Sequence, residues 1–238
     1  MKKMFILLLV ISLGVSAQAA SWDFQTEWGW PTMPTPTWQY GYSNQNNWHE
    51  FILYTYASPW DNGVYWGPGP DALGVGPLMW RNDSAAWLGG ALPGEVVSHT
   101  GVTGFYLGNW ENVNALWTAP AGIAETVNCI FRLGSGNGGE REFWIVKNAG
   151  TASEELLFHQ DPVAGDITTH LIIPVVAGDT LNFVQGAGLE MNSEASPLYV
   201  NISERVEPAD PVECVLRLDA AHGLTDPIRA FPSWMEMW

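Results

Sequence analysis

The chain has 238 residues, with 25 Asp and Glu against 9 Lys and Arg, 14 Trp, 25 Gly, 16 Pro and 2 Cys. That length suits one β-rich domain, and a composition 47% apolar and 14% charged excludes both a coiled coil and a solvated low-complexity chain. A formal charge of −16 without a basic cluster excludes nucleic acid as a partner, because a phosphate backbone is bound by clustered Lys and Arg that displace its counterions.

Residues 1–20 read as a signal peptide. Lys2 and Lys3 precede an apolar run from Met4 to Val15 broken only by Ser12 and Gly14, and Ala17-Gln18-Ala19 supplies the A-x-A pattern of a cleavage site. The run is too short to cross a bilayer, and cleavage after Ala19 or Ala20 leaves no later run long enough for a membrane helix. The expected product is exported: secreted, periplasmic or at the cell surface. It is more acidic than the full chain, since Lys2 and Lys3 go with the leader.

Residues 21–38 form a Trp- and Pro-rich opening with Trp22, Trp28, Trp30 and Trp38 around Pro31, Pro34 and Pro36. Prolines at that density cannot donate ladder hydrogen bonds, so the segment is expected to lie across the body as an extended arm. Residues 39–203 then alternate short β-branched and aromatic runs with Gly, Asn, Asp and Pro punctuation, the spacing of a sandwich or barrel. Strands are predicted at Phe51–Tyr56, Val64–Trp66, Val96–His99, Thr103–Leu107, Val113–Thr118, Glu125–Leu133, Arg141–Lys147, Glu155–His159, Thr168–Val175, Thr180–Gln185 and Leu198–Ser203.

Several of these alternate plainly. Val113, Ala115 and Trp117 point one way, as do Val127, Cys129, Phe131 and Leu133, Leu181 with Phe183, and Leu198 with Val200 and Ile202. Ala164-Gly165-Asp166 recurs as Ala177-Gly178-Asp179, each with the chemistry of a hairpin corner. With no sustained helical period between Ser21 and Ser203, the fold class is all-β, an antiparallel β-sandwich. Residues 204–238 read as a linker and tail, with Val206 to Pro211 as the linker and a short helix over Val212 to His222 closed by Gly223; docked and free tails fit equally. Cys129 and Cys214 either close a long loop as a disulfide, or Cys129 is a small core hydrophobe beside Val127 and Phe131.

Five phrases, taken in order, carry a resemblance. They are Thr37-Trp38-Gln39-Tyr40-Gly41-Tyr42, Trp80-Arg81-Asn82, Leu92-Pro93-Gly94-Glu95-Val96-Val97-Ser98-His99, Leu116-Trp117-Thr118-Ala119-Pro120-Ala121-Gly122 and Ala177-Gly178-Asp179-Thr180-Leu181-Asn182-Phe183-Val184. The chain from Trp38 to Ser203 resembles a family of secreted bacterial β-sandwich modules of planctomycetes and their relatives, often followed by a PEP-CTERM sorting signal. The resemblance implies a jelly-roll-like sandwich similar to non-catalytic carbohydrate-binding modules, and it implies no catalytic residues. His99-Thr100-Gly101 stands where the family commonly has His-Pro-Gly, and the C-terminus lacks the Pro-Glu-Pro, apolar helix and basic triplet of a sorting signal. Anchoring by that route is not expected.

Catalytic patterns find little footing. Gly134-x-Gly136-x-x-Gly139 is followed by the strand-like Glu142 to Val146, whereas a dinucleotide fingerprint needs a helix N-terminus there; it reads as a hairpin loop. His49-Glu50 lacks the second histidine of a zincin, and no G-x-S-x-G elbow occurs. Glu140 and Glu142, two apart, would share a strand face as a glycosidase pair needs, yet solvated acids are ordinary at a strand start. No cofactor is expected. Asp166, Asp179 and Glu190 are candidate oxygen donors to a structural calcium, although Asp after Ala-Gly is more simply a turn former.

The tryptophan excess demands a cause. A sandwich this size is not expected to bury fourteen indoles, so some are expected at the surface. Exposed indoles stack on the apolar faces of sugar rings while Asn, Asp or Arg meet the hydroxyls. The loop-rich residues Trp60, Asp61, Trp66, Trp80, Asn82, Trp87 and Trp110 are the expected ligand site. The leading expectation is an exported, non-catalytic module whose partner is a polysaccharide or another envelope component. A structural or assembly protein using exposed aromatics is the alternative, and a glycoside hydrolase the third.

Overall fold

The computed structural model describes residues 19–30, 32, 37–45, 47–60, 63–72, 76–86, 91–101, 111–134, 140–186 and 195–205. The leader up to residue 18, the predicted strand Thr103–Leu107, the linker and tail from residue 206, and Cys214 all lie outside them. Among the described residues fourteen strands run in chain order: β1 Ser21–Asp23, β2 Trp38–Asn44, β3 Ile52–Leu53, β4 Tyr56–Trp60, β5 Gly63–Gly67, β6 Leu78–Asn82, β7 Val96–His99, β8 Glu111–Thr118, β9 Thr126–Leu133, β10 Arg141–Lys147, β11 Glu155–Val163, β12 Ile167–Pro174, β13 Thr180–Gly186 and β14 Ala195–Glu204. Among the described residues no helix is long and apolar enough to cross a membrane.

The strands form two antiparallel sheets. The first has the order β12-β9-β14-β7-β6-β5-β4 with β1 added on β14, and the second has the order β11-β10-β13-β8-β2-β3. From β7 onward the chain passes between the sheets at nearly every connection, with only β10 and β11 adjacent in one sheet. The result is β12-β9-β14-β7 facing β11-β10-β13-β8, the interleaved order of two Greek keys that defines a jelly roll. Strands β2 and β3 widen the second sheet beyond β8, and β6, β5 and β4 widen the first beyond β7.

The segment read as an arm supplies β1 and part of the core. Ser21, Trp22 and Asp23 pair with Ser203, Ile202 and Asn201, Trp22 packs edge-on against Trp117 at 5.4 Å, and Phe24 and Trp28 are buried. Phe24 meets Trp38 at 5.2 Å and Trp28 stacks on Tyr40 at 4.5 Å. Each such ring buried contributes on the order of 2–3 kcal/mol by area alone, with a further increment for the aromatic geometry.

β14 has two successive partners on one edge. Its first residues pair with β7 and its last with β1, and the gap between is closed by a side chain. Gln25 Nε2 donates to Val96 O at 3.2 Å and to Leu198 O, and its Oε1 accepts from Val96 N at 2.6 Å. The amide stands in for a missing residue of ladder, meeting backbone groups that would otherwise be orphaned.

Cys129 faces the core from β9 as a free, fully buried thiol, among the inward residues Val127, Phe131 and Leu133 that the alternation predicts. Burial pushes the thiol up to about 12 and raises the phenols of Tyr40 and Tyr54 above their ordinary 10.0.

These features set two expectations. Gln25→Ala leaves Val96 N without its partner and is expected to cost about 1–3 kcal/mol, read as a lower denaturant midpoint. The unfolded chain releases the thiol and phenol protons near their ordinary values of 9.0 and 10.0, while the folded chain keeps them to higher pH. That part of the stability is therefore whole below about pH 9 and is lost as pH rises toward 12. Phenolate absorbance from Tyr40 and Tyr54 should appear together with unfolding rather than before it.

Candidate functional site

The expected ligand residues do not form one surface. Trp66 and Trp80 sit on neighbouring strands but out of step: Trp66 pairs with Met79, and Tyr65 pairs with Trp80. The two indoles consequently point to opposite faces of the first sheet. Trp66 is buried between the sheets, near Tyr40 at 6.3 Å, with Nε1 donating to Gly29 O at 2.8 Å. Trp80 is buried on the outer face with Tyr65, Leu78, Ala91 and Val97. Asn82 is fully buried too: its Nδ2 donates to Ala86 O and Ala91 O at 2.9 and 3.0 Å, and its Oδ1 accepts from Ser84 N at 3.0 Å. Its amide is spent on holding the β6–β7 connection. Trp66, Trp80 and Asn82 are thus packing and loop-organising residues and not surface groups, which corrects the sequence expectation. Trp60 ends β4, its side chain outside the description, and Asp61, Trp87 and Trp110 lie outside the described residues.

Among tryptophans with described side chains, Trp28, Trp38, Trp66, Trp80, Trp117 and Trp144 are buried, and Trp30, at 37%, is the most exposed.

The two outer faces differ in what covers them. On the second sheet, Trp144, Val146 and Val184 are buried under Trp48 and Ala149. The β2–β3 connection is tied down there by Asn114 Nδ2 donating to Glu50 O at 3.1 Å and Asn112 Nδ2 donating to Asn44 O at 3.0 Å. Gly186 is required beneath the indole, since a Cβ there would fall 2.9 Å from the Trp144 ring.

The first sheet is open where β12, β9 and β14 run together. Outward residues align in rows across these strands: Ile172, Asn128 and Ser203; His170, Ile130 and Asn201; Thr168, Arg132 and Tyr199. Ile130 and Ile172 are each 54% exposed. The Arg132 guanidinium lies 5.2 Å over the Tyr199 ring and reaches Asp166 at 3.1 Å. Burial, together with the hydrogen bond that its hydroxyl donates to Glu95, pushes the Tyr199 phenol up to about 12. A water-facing lattice of amides, hydroxyls and an imidazole around an apolar strip can engage an extended ligand along its length.

Beside Glu142 the structure brings His159 and Asp161. His159 Nε2 is 2.8 Å from Glu142 Oε1 and 3.9 Å from Asp161 Oδ1, and the imidazole stacks on Trp144 at 5.3 Å. One ligand atom from each of the three lies within 4.8 Å of the others. An imidazole with two carboxylates suits a borderline divalent ion more than calcium. The cluster straddles β10 and edge strand β11, with the Asp161 side chain 88% exposed, whereas a glycosidase acid needs a sheltered carboxyl.

The expected calcium donors are kept apart. Asp166 lies before β12 and pairs with Arg132, while Asp179 lies after it, at the other end of the sandwich, so they cannot share an ion. Asp179 already holds Lys147 Nζ at 2.9 Å, Asn148 Nδ2 at 2.9 Å and Val176 N at 2.9 Å. Partial burial works against its charge, yet those hydrogen bonds hold the carboxyl below its usual range. Glu190 lies outside the described residues.

A polar layer between the sheets escapes the sequence reading. Arg141, Gln185, Ser98, Ser196 and Glu111 are all buried, at the end where β8, β10 and β14 begin and β7 and β13 finish. Ser98 Oγ donates to Gln185 Oε1 across the core, Arg141 Nη1 donates to Ser196 Oγ at 3.2 Å, and Arg141 Nη2 donates to Ala164 O and Gly165 O at 3.0 Å each. Strand parity is the signal that finds it. Arg141 shares a face with Phe143 and Ile145, and Glu111 shares one with Val113, Ala115 and Trp117. The guanidinium pins the β11–β12 turn that presents Asp166 to Arg132.

No family model matches the chain, and no curated protein matches it. Among solved structures, it is similar to a family 35 carbohydrate binding module from Clostridium thermocellum, at 11% identity and a TM-score of 0.27 over 38% of this chain and 69% of that one. It is also similar to a CBM51 from Clostridium perfringens GH95 in complex with methyl-galactose, at 13% identity and a TM-score of 0.30 over 63% and 94%. The K2 cleaved adhesin domain of Lys-gingipain is similar at 14% identity and a TM-score of 0.33 over 62% and 90%. At these scores it is the strand order, and not the likeness, that establishes the jelly roll.

If Trp66 and Trp80 act in packing, Trp66→Ala and Trp80→Ala should each lower unfolding free energy by about 3–5 kcal/mol. Conservative Trp66→Phe and Trp80→Phe chains that remain folded should bind any ligand as the parent does, measured by isothermal titration.

Proposed function

We propose that this chain is an exported, non-catalytic jelly-roll module that binds neutral polysaccharide on the open outer face of β12, β9 and β14. The observation that carries the reading is the contrast between the faces: Trp48 and the β2–β3 connection roof the second sheet over β10 and β13, leaving Leu156 exposed on edge strand β11, while the first leaves Ile130 and Ile172 half exposed among polar side chains. Covering a sheet face is the ordinary way to satisfy its apolar residues, so an uncovered apolar strip marks a binding surface. Ile130 and Ile172 offer the C–H faces of sugar rings an apolar rest, and Asn128, Asn201, Thr168 and His170 offer donors and acceptors to hydroxyls. The strand lattice, about 4.8 Å across and nearly 7 Å along, repeats these groups in two directions, as a regular polymer requires. A net charge of −16 disfavours acidic glycans.

The second reading, an envelope assembly protein, draws on the same two isoleucines, since exposed aliphatic side chains also serve protein contacts. The readings part in a direct measurement. Affinity electrophoresis against neutral soluble polysaccharides should retard the parent, and Ile130→Glu or Thr168→Glu should weaken retardation at least about tenfold while leaving the melting temperature nearly unchanged, as these side chains point to water. Absence of retardation by every glycan, together with mass that grows with concentration in light scattering and is reset by Ile130→Glu, would favour assembly instead.

A further inference from the structure

We propose that the chain is cut between Ala19 and Ala20, and that the α-ammonium so exposed closes onto Glu204 as a structural part of the sandwich. Two independent registers meet at one atom. In the sequence, Ala17 and Ala19 occupy the third and first positions before the cut, the small-residue positions of a leader cleavage site; the scissile bond then ends at the nitrogen of Ala20. In the fold, that same nitrogen lies 2.9 Å from Glu204 Oε2.

The carboxylate is set in place for it. Its other oxygen accepts from Ala124 N at 2.9 Å, and Glu204 N donates to Ala20 O at 2.9 Å. The residues that follow, Ser21 to Asp23, are β1 in register with the end of β14, and β1 sets Trp22 against Trp117. The terminus thus sits where the strand that brings the first aromatic residues to the core begins to pair.

Cutting adds one water across the Ala19–Ala20 amide. The hydroxyl goes to the Ala19 carbonyl carbon, the proton goes to the departing Ala20 nitrogen, and at neutral pH the freed amine takes a further proton from solvent. A neutral amide N–H facing Glu204 becomes a cation with three donors, converting an ordinary hydrogen bond into a charge-assisted one. Because Ala20 N is held by Glu204 Oε2 and Ala20 O by Glu204 N, the backbone beside the bond to be cut is engaged on β14 once β1 has paired. Cleavage therefore comes first, and the new charge holds β1 in place afterwards. The inference rests on residues 1–20 being a cleaved leader and is independent of what the open face binds.

The experiment has two parts. Intact-mass measurement of the protein exported from a host expressing the full chain should show Ala20 as the first residue; a chain beginning at Ser21, or left uncut, overturns the proposal. Next, residues 20–238 with a free amine are compared with the same chain acetylated at Ala20. Acetylation should lower the melting temperature by about 1–3 °C, the scale of one ion pair in a domain this size, and in the Glu204→Gln chain it should lower it not at all. No shift in the parent, or an equal shift in both, overturns the proposal. Should Glu204→Gln fail to fold, the parent's shift is measured again in about 1 M salt, where screening must shrink it; an undiminished shift rejects the ion pair.

Discussion

The sandwich hangs on the two edges of β14. One edge runs against β9 from Leu198 to Glu204, and the other meets β7 and then β1. A strand so placed has to satisfy every N–H and C=O along both sides, because a buried backbone group without a partner costs as much as a lost hydrogen bond. The Gln25 amide completes that accounting between the two partners. Through β14 the earliest described residues, the middle of the chain and its last described strand are tied into one ladder, and the first sheet continues unbroken from β12 to β4.

That continuity explains where the aromatic residues go. A jelly roll of eight strands encloses a narrow core, but here β2 and β3 on one side and β6 to β4 on the other widen both layers on the same flank. The added volume is filled by large rings: Phe24, Trp28, Trp38, Tyr40 and Trp66 form a contiguous aromatic cluster there, while the core between the eight jelly-roll strands uses Phe131, Phe143 and Phe183. Among the described residues, Trp28, Trp38, Trp66 and Trp117 are thus spent on a broad interior. The molecule's open face is built from isoleucine, tyrosine and amides in their place.

The two ends of the sandwich are secured differently from its middle. At one end a polar layer centred on Arg141 and Gln185 replaces apolar packing and fixes the β11–β12 turn; at the other, Lys147, Asn148 and Asp179 lock neighbouring turns. Buried charges of this kind are retained only where hydrogen bonds repay their desolvation. Their effect is to hold β12, an edge strand with water on one side, at both ends.

Much of this was legible from residue order alone. Alternation along β8, β9, β13 and β14 is a local property of the pleat, so the inward sets headed by Val113, Val127, Leu181 and Leu198 could be read without knowing their neighbours. By contrast β6 shows no alternation, because Met79 packs into the core and Trp80 into a second cluster on the opposite face, and a strand covered on both sides loses the period-two signature. Trp66 and Trp80 look like companions in sequence and are separated by a register that only pairing sets. The matching Ala-Gly-Asp turns end at opposite poles because β12 runs between them. Local chemistry, then, determined the all-β class, the strand faces and the turns; which faces meet, which one stays open, and which charges are enclosed were decided by hydrogen-bonded pairings between segments far apart along the chain, and no short-range pattern encodes those.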